Sequence, residues 1–296
     1  MRIRSLPSRV ALAAAVLVAG ARADSPYEKL IEARAPAVVT VKAALKIGGN
    51  FMGRSIDQER EMTATGVVVD ACGFVMMSSD NISVPRYARE QAHEVKITPT
   101  NLRVIFPGDE TEYEAILGAT DSKLGLAFVL IRDLKGKTVT PIDFSNAAEP
   151  KVGDTLYAVT RMERGFDYAP VCEEAKVSGH VTKPRAMWVL GGQGADVPHP
   201  LYTAEGAVAG VVVVQEGVGD ERAGFRLFLL PLKIATGTIE RALKTSKEAL
   251  EEANAQKAAE EKPAEEKPAE EKPADEKPAE ERPADGGDKP AEDGGK

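Results

Sequence analysis

The chain has 296 residues, 43% of them hydrophobic, 19 prolines and a formal net charge of −8. Residues 251–296 hold 16 acidic and 8 basic side chains, a net of −8, so this stretch accounts for the whole-chain value and the remainder is balanced. With no excess of basic residues to meet phosphates, nucleic acid is excluded as an expected partner.

At the N-terminus Arg2, Arg4 and Arg9 precede the apolar run 10–18, and Ala21-Arg22-Ala23 has the small-x-small form of a signal-peptidase site. Residues 1–23 therefore read as a secretory signal peptide cut before Asp24. Its apolar run is shorter than the roughly 20 residues of a membrane span. The expectation is an exported protein, periplasmic or extracellular, with an uncleaved anchor as the alternative. At the other end, residues 257–296 are built on a five-residue repeat, Lys-Pro-Ala-Glu-Glu at 262, 267 and 277 with variants at 272 and 282. Such a tail has no large apolar residue to bury and is expected to be disordered. It reads as a solvated spacer or, through its alternating charges and prolines, as a contact to a partner or to an envelope or cell-wall surface.

Residues 24–250 remain, enough for one domain or two small subdomains. In chain order, residues 27–35 form a short amphipathic helix with Leu30 and Ile31 as apolar contacts, and AVVTVKAAL at 37–45 is a strand. Residues 48–63 read as a polar loop. The stretch TGVVVDACGFVMMSSDNI (65–82) then makes a β-hairpin: a β-branched arm 66–69, a turn 70–73 and an apolar arm 74–77 that ends in Ser78-Ser79-Asp80-Asn81. Residues 84–92 suggest a short helix and 96–100 a loop. Strands follow at 102–106, 112–117 and 124–131, with a turn at 107–110. After a linker at 141–148 come strands near 152–159, 177–179, 211–214 and 225–230. A helix closes the globular part over about residues 233–256. Alternation alone supports an all-β domain.

The two cysteines, Cys72 and Cys172, are free to pair in an oxidising compartment, and two isolated thiols carry no metal-site spacing. Asn81-Ile82-Ser83 fits a glycosylation sequon, which recurs by chance. Met76-Met77 reads as core filling on a buried strand and Trp188 as a packing residue.

The hairpin resembles the first catalytic hairpin of HtrA-type, trypsin-like serine proteases: Gly66 to Asp70, Gly73 and Phe74 match a Gly-Val-hydrophobic-hydrophobic-Asp run and a Gly-aromatic turn. Further on, Tyr113, Ala115, Gly118, Asp121, Leu126, Ala127 and Leu130 keep the pattern around the family's orienting aspartate. Val152-Gly153-Asp154 and Glu205-Gly206-Ala207-Val208-Ala209-Gly210 resemble parts of the second half. The resemblance implies a chymotrypsin-like double β-barrel over residues 24–250, with barrel 1 at about 37–140, barrel 2 at about 150–232 and a cleft between them. The PDZ domain usual in active members does not follow; the repeat tail does.

Carried over residue by residue, the general base falls on Asp80, the orienting aspartate on Gly125 and the nucleophilic serine on Val197. All three positions of the triad are replaced, and a glycine offers no carboxylate to hold a histidine tautomer. The oxyanion donors would be the N–H groups of Ala195 and Val197. There Pro198 restricts the residue before it and Ala195 lacks a glycine's freedom. Ser78, Ser79, Asp196 and His199 are the polar candidates left in the cleft. His199 with Asp80 and a serine could be imagined as a rebuilt cluster, but nucleophilic catalysis needs contacts of about 3 Å in a defined order. Asp80 and His199 alone make no metal coordination sphere. His93 and His180 read as surface or strand-end residues.

The leading expectation is an exported protease homologue without catalysis that binds protein or peptide in the inter-barrel cleft, with no cofactor or metal. An active serine endopeptidase or other hydrolase with a non-standard site, and an envelope protein using the cleft as a peptide groove, stay open as alternatives.

Overall fold

A computed structural model of the protein describes residues 25–85, 92, 94–191, 198–216 and 225–260. Among the described residues, twelve strands form two closed antiparallel barrels of six, ordered β1-β2-β3-β6-β5-β4 and β10-β11-β12-β9-β8-β7. In the first are β1 (Val38–Phe51), β2 (Arg54–Asp70), β3 (Phe74–Ser78), β4 (Val95–Ile105), β5 (Tyr113–Asp121) and β6 (Leu126–Ile131). In the second are β7 (Thr155–Arg161), β8 (Pro170–Val181), β9 (Met187–Gly191), β10 (Pro200–Tyr202), β11 (Val208–Glu216) and β12 (Phe225–Pro231). Helix α1 (Pro26–Arg34) precedes them and α2 (Leu232–Glu260) follows. This is the chymotrypsin-like double β-barrel that the resemblance implied.

The strands richest in apolar residues are buried on both faces, which explains why they run without alternation. On β3, Val75 and Met77 point into the interior of barrel 1 with Val41, Val104 and Val129, while Phe74 and Met76 point out of it. On β6, Ala127, Val129 and Ile131 face the same interior, and Leu126, Phe128 and Leu130 face outward. The outward set meets Met187, Val211, Val213 and Leu230 of barrel 2 and Ala235, Ile239 and Ala242 of α2 in one continuous cluster. Within it the Phe74 and Phe128 rings stack at 5.2 Å and 11°. On β11, Val211 and Val213 join this shared cluster while Ala209 and Val212 turn into barrel 2 with Leu156, Val177 and Leu229.

The terminal helices cross over. Helix α1 leads into barrel 1 but packs on β7 and β8 of barrel 2: Tyr27 meets the Tyr157 ring edge-on at 5.5 Å and donates to Glu174, and Arg34 donates to Gly206 O at 2.8 Å and lies 5.1 Å from the Tyr202 ring centroid. Glu174 pushes the Tyr27 hydroxyl up to about 12, because its carboxylate is a better partner for the protonated phenol than for a phenolate. Helix α2 leaves barrel 2 and packs on β5 and β6 of barrel 1. There the fully buried Ser246 hydroxyl donates to Ala242 O at 2.7 Å and accepts from Ala119 N at 3.0 Å. Arg161 adds a third link: its guanidinium donates to Val38 O, Ala35 O and Tyr168 O at 3.0, 2.8 and 3.0 Å, tying the end of β7 to the entry of barrel 1. Burial lowers the Arg161 pKa from its usual value, the cost of holding this charge against carbonyls rather than carboxylates.

Two local expectations change. The polar loop expected at 48–63 is the far end of a long β1–β2 ribbon, paired from Val38↔Val67 to Phe51↔Arg54. Met52 (φ 50°) and Gly53 (φ 76°) supply the two positive-φ residues that a tight two-residue turn needs. The loop expected at 96–100 is the first half of β4, paired with β1 from Lys96↔Gly48 to Thr100↔Ala44. Along 54–63 most side chains stand in solvent, so no apolar alternation marks the strand; over 95–100 the apolar Val95, Ile97 and Pro99 do alternate with Lys96, Thr98 and Thr100, but a proline inside so short a run reads against a strand. Both cysteines are free: Cys72 packs against the shared cluster and Cys172 against another beside α1. Burial and, for Cys72, the neighbouring Asp70, for Cys172, Glu174 and Glu173, push both thiols up to about 11. The helix expected at 84–92 falls mostly outside the described residues.

The α2 contact has a sharp steric test. A Cβ built on Gly118 would sit 1.9 Å from Ser246 Oγ and 2.5 Å from Ser246 Cβ. Gly118→Ala should therefore push α2 away from β5 and lower stability by about 1–3 kcal/mol. Urea unfolding checks it, and Ser246→Gly on the same background should restore part of the loss.

Candidate functional site

The hairpin β2–β3 is built as its sequence suggests. Val67↔Met76, Val68↔Val75 and Asp70↔Phe74 are paired, with a bulge between Val68 and Asp70. The turn closes through Gly73 N to Asp70 O at 3.1 Å and Cys72 N to the Asp70 carboxylate at 2.9 Å. Gly73, at φ 83°, lies where an L side chain is strained, and a Cβ there would press on Ile131 at 3.0 Å. On β2, a Cβ at Gly66 would come within 2.6 Å of the Val75 side chain, so the glycine that begins the matched motif is needed for packing.

Strand β3 delivers Ser78, Ser79 and Asp80 into one turn of 3-10 helix. Ser78 Oγ accepts from Asp80 N at 3.3 Å, so this hydroxyl caps the turn. The backbone of Ser79 is engaged on both sides: its N–H donates to Gly125 O at 3.0 Å, and its carbonyl accepts from Ile82 N at 3.1 Å and Ser83 Oγ at 2.7 Å. Ser78 and Ser79 are buried and Asp80 is half-buried. Asp80 and Gly125, on which the resemblance puts the base and the orienter, are thus neighbours, joined through Ser79 and through the β3–β6 pair Ser78↔Leu126.

Gly125 follows a turn in which the Asp121 carboxylate accepts from Lys123 N and Leu124 N, each at 3.0 Å. Its φ is 73°, in the left-handed region. The chain therefore enters β6 through a conformation that disfavours a side chain. No periodicity in the sequence signals this backbone state.

His199 belongs to the other barrel. It stands between Pro198 and Pro200 at the start of β10, is buried, and its carbonyl accepts from Val212 N at 2.8 Å. Pro200 and Leu201 lie beside Val211 and Gly210, so the two motifs that located the nucleophile position are adjacent strands. Val197, Asp196 and Ala195 lie outside the described residues, as does His93. His180 sits on β8 with its ring 5.3 Å from its cross-strand neighbour Trp188. No group of three or more potential metal ligands occurs among the described residues, and no helix among them is long and apolar enough to cross a membrane.

No family model and no curated protein matches this sequence. Among solved structures, the crystal structure of the MamO protease domain from Magnetospirillum magneticum, in its apo form, is similar at 15% identity and a TM-score of 0.44, aligned over 70% of this chain and 97% of that one. The architecture is read from the strand order and closure of the two barrels themselves.

Because Gly125 holds a left-handed φ, Gly125→Asp should cost about 1–2 kcal/mol in stability. Thermal or urea unfolding of that variant alone checks the figure, and a neutral or stabilising result would contradict the backbone assignment.

Proposed function

We propose that this chain is an exported protease homologue that binds protein or peptide in the cleft between its barrels and does not hydrolyse it. The observation that carries the reading is the pair of neighbouring positions at the ends of β3 and β6. The resemblance puts the general base at Asp80 and its orienting carboxylate at Gly125, and these two residues are neighbours, with Gly125 in a left-handed backbone conformation. An aspartate there has no imidazole to relay a proton, and a glycine has no charge to stabilise one. Val197 in the serine position and Pro198 after it, both read from the sequence, add the loss of nucleophile and a restricted oxyanion loop.

His199 is buried at the entry of β10, and its carbonyl accepts from Val212 N of β11. The double-barrel frame, by contrast, keeps its packing in full, which favours use of its shape. The N-terminal segment supports export to the periplasm or cell exterior, and the repeat tail supports a spacer or surface-contact role.

The test is direct. The purified chain beginning at Asp24 should neither cleave unfolded casein nor be labelled by a serine-reactive fluorophosphonate. Cleavage that disappears on Asp80→Ala or His199→Ala, or covalent labelling of any serine, would replace this reading with that of a hydrolase with a non-standard site.

A further inference from the structure

Strand β2 has a free edge. It pairs with β1 from Phe51↔Arg54 to Val38↔Val67, but with β3 only from Val67 onward. Along 54–65 its second edge has no strand beside it among the described residues, and no backbone hydrogen bond of a described turn or loop reaches it. Residues 54–60 are exposed except the half-buried Ile56, while from 61 to 65 the strand borders a cavity of about 550 Å³ that residues 161–164 and 168 of barrel 2 also line. The stretch RSIDQEREMTAT (54–65) holds neither proline nor glycine, so its backbone does nothing to stop a further strand. A run of unpaired N–H and C=O groups of this kind is a template for another chain.

What stands against pairing is charge. Met62 and Ala64 pack against the interior of barrel 1, so alternation sets Asp57, Glu59 and Glu61 in one row on the opposite, solvent face. Across from this row on β1 stand Gly48, Lys46 and Ala44, which leaves Lys46 as the one cation directly opposite it. The next lysine along β1, Lys42, is bonded to Glu112 at 2.7 Å.

Two copies that meet at this edge across a two-fold axis pair antiparallel, with one residue opposite itself. Centred on Asp57, the pair sets Asp57 against Asp57 and Arg54 against Arg60. Centred on Gln58, it sets Asp57 against Glu59 on both sides of the axis. Centred on Glu59, it sets Glu59 against itself and Asp57 against Glu61. A centre at Arg60 or beyond carries the partner's turn onto Val67, where β3 already pairs. Centred on Ile56 the pair opposes no like charges, but it spans only 54–58. Like charges directly opposite destabilise a strand pair, so every longer register that fits the edge is opposed.

We propose that Asp57, Glu59 and Glu61 guard the β2 edge: they keep it from pairing with a second copy of this chain, and neutralising them turns the edge into a two-fold dimer interface. The inference is independent of the cleft between the barrels and of what that cleft binds.

Sedimentation equilibrium of the purified chain, read together with amide hydrogen exchange, tests it. The variant Asp57→Asn/Glu59→Gln/Glu61→Gln should self-associate about tenfold more tightly than the wild type, the relief of two or more like-charge contacts. Its amides at 54–65 should become protected as protein concentration rises, and those of the wild type should not. In a second arm, Asp57→Lys/Glu59→Lys/Glu61→Lys mixed with wild type should form a heterodimer tighter than the self-association of either, protected at the same amides and weakened by salt. The proposal is overturned if the neutral variant sediments as the wild type does, if the mixture forms no heterodimer, or if association leaves exchange at 54–65 unchanged. Should the neutral variant fail to fold, the charge-reversed mixture decides the matter.

Discussion

The two-sided burial of β3, β6 and β11 is the constraint on which the rest of this structure depends. Each of these strands closes a barrel with one face and meets the neighbouring barrel or α2 with the other, so Phe74, Met76, Phe128, Leu130, Val211 and Val213 belong to one cluster that neither barrel completes alone. The hydrophobic driving force is proportional to the apolar surface removed from water. Separating the barrels would expose this whole layer at once. The crossing helices and the Arg161 fork add directional links to the same joint. Arg161 reaches three carbonyls on either side of it, and Ser246 bonds both α2 and β5.

That constraint is independent of positions 80 and 125. Asp80 and Gly125 sit in turns at the ends of β3 and β6, where the paired strands stop and the backbone is held by local bonds such as Ser79 N to Gly125 O. Turn residues of this kind can be exchanged without touching the shared cluster, while the strands that lead to them cannot. Packing in the strands and whatever chemistry the turns carry are thus separable in this fold.

Much of the frame was legible in the sequence for the same reason. GVVVD, FVMM, LAFVLI and VVVV stand out because both faces of those strands are buried and the apolar runs are unbroken. The outer ribbon was not legible: residues 54–63 expose most side chains on both faces, and only the Met52-Gly53 turn shows where the chain reverses. The first half of β4 carries the strand period, Val95, Ile97 and Pro99 alternating with polar residues, but its proline argues for a loop. At the site, the residue types at positions 80, 125 and 197 could be read directly, but the left-handed φ of Gly125 is a product of tertiary structure. The free edge of β2 depends on where pairing with β3 stops, and that is set by a register that no single strand encodes.

The central claim, that the two barrels form one cooperative body through a shared interior, is open to a single calorimetric measurement on the purified chain. Thermal unfolding should show one transition whose calorimetric and van't Hoff enthalpies agree, because neither barrel keeps its outer layer without the other. Two resolved transitions, or a calorimetric enthalpy well above the van't Hoff value, would show that each barrel unfolds by itself and would contradict the account.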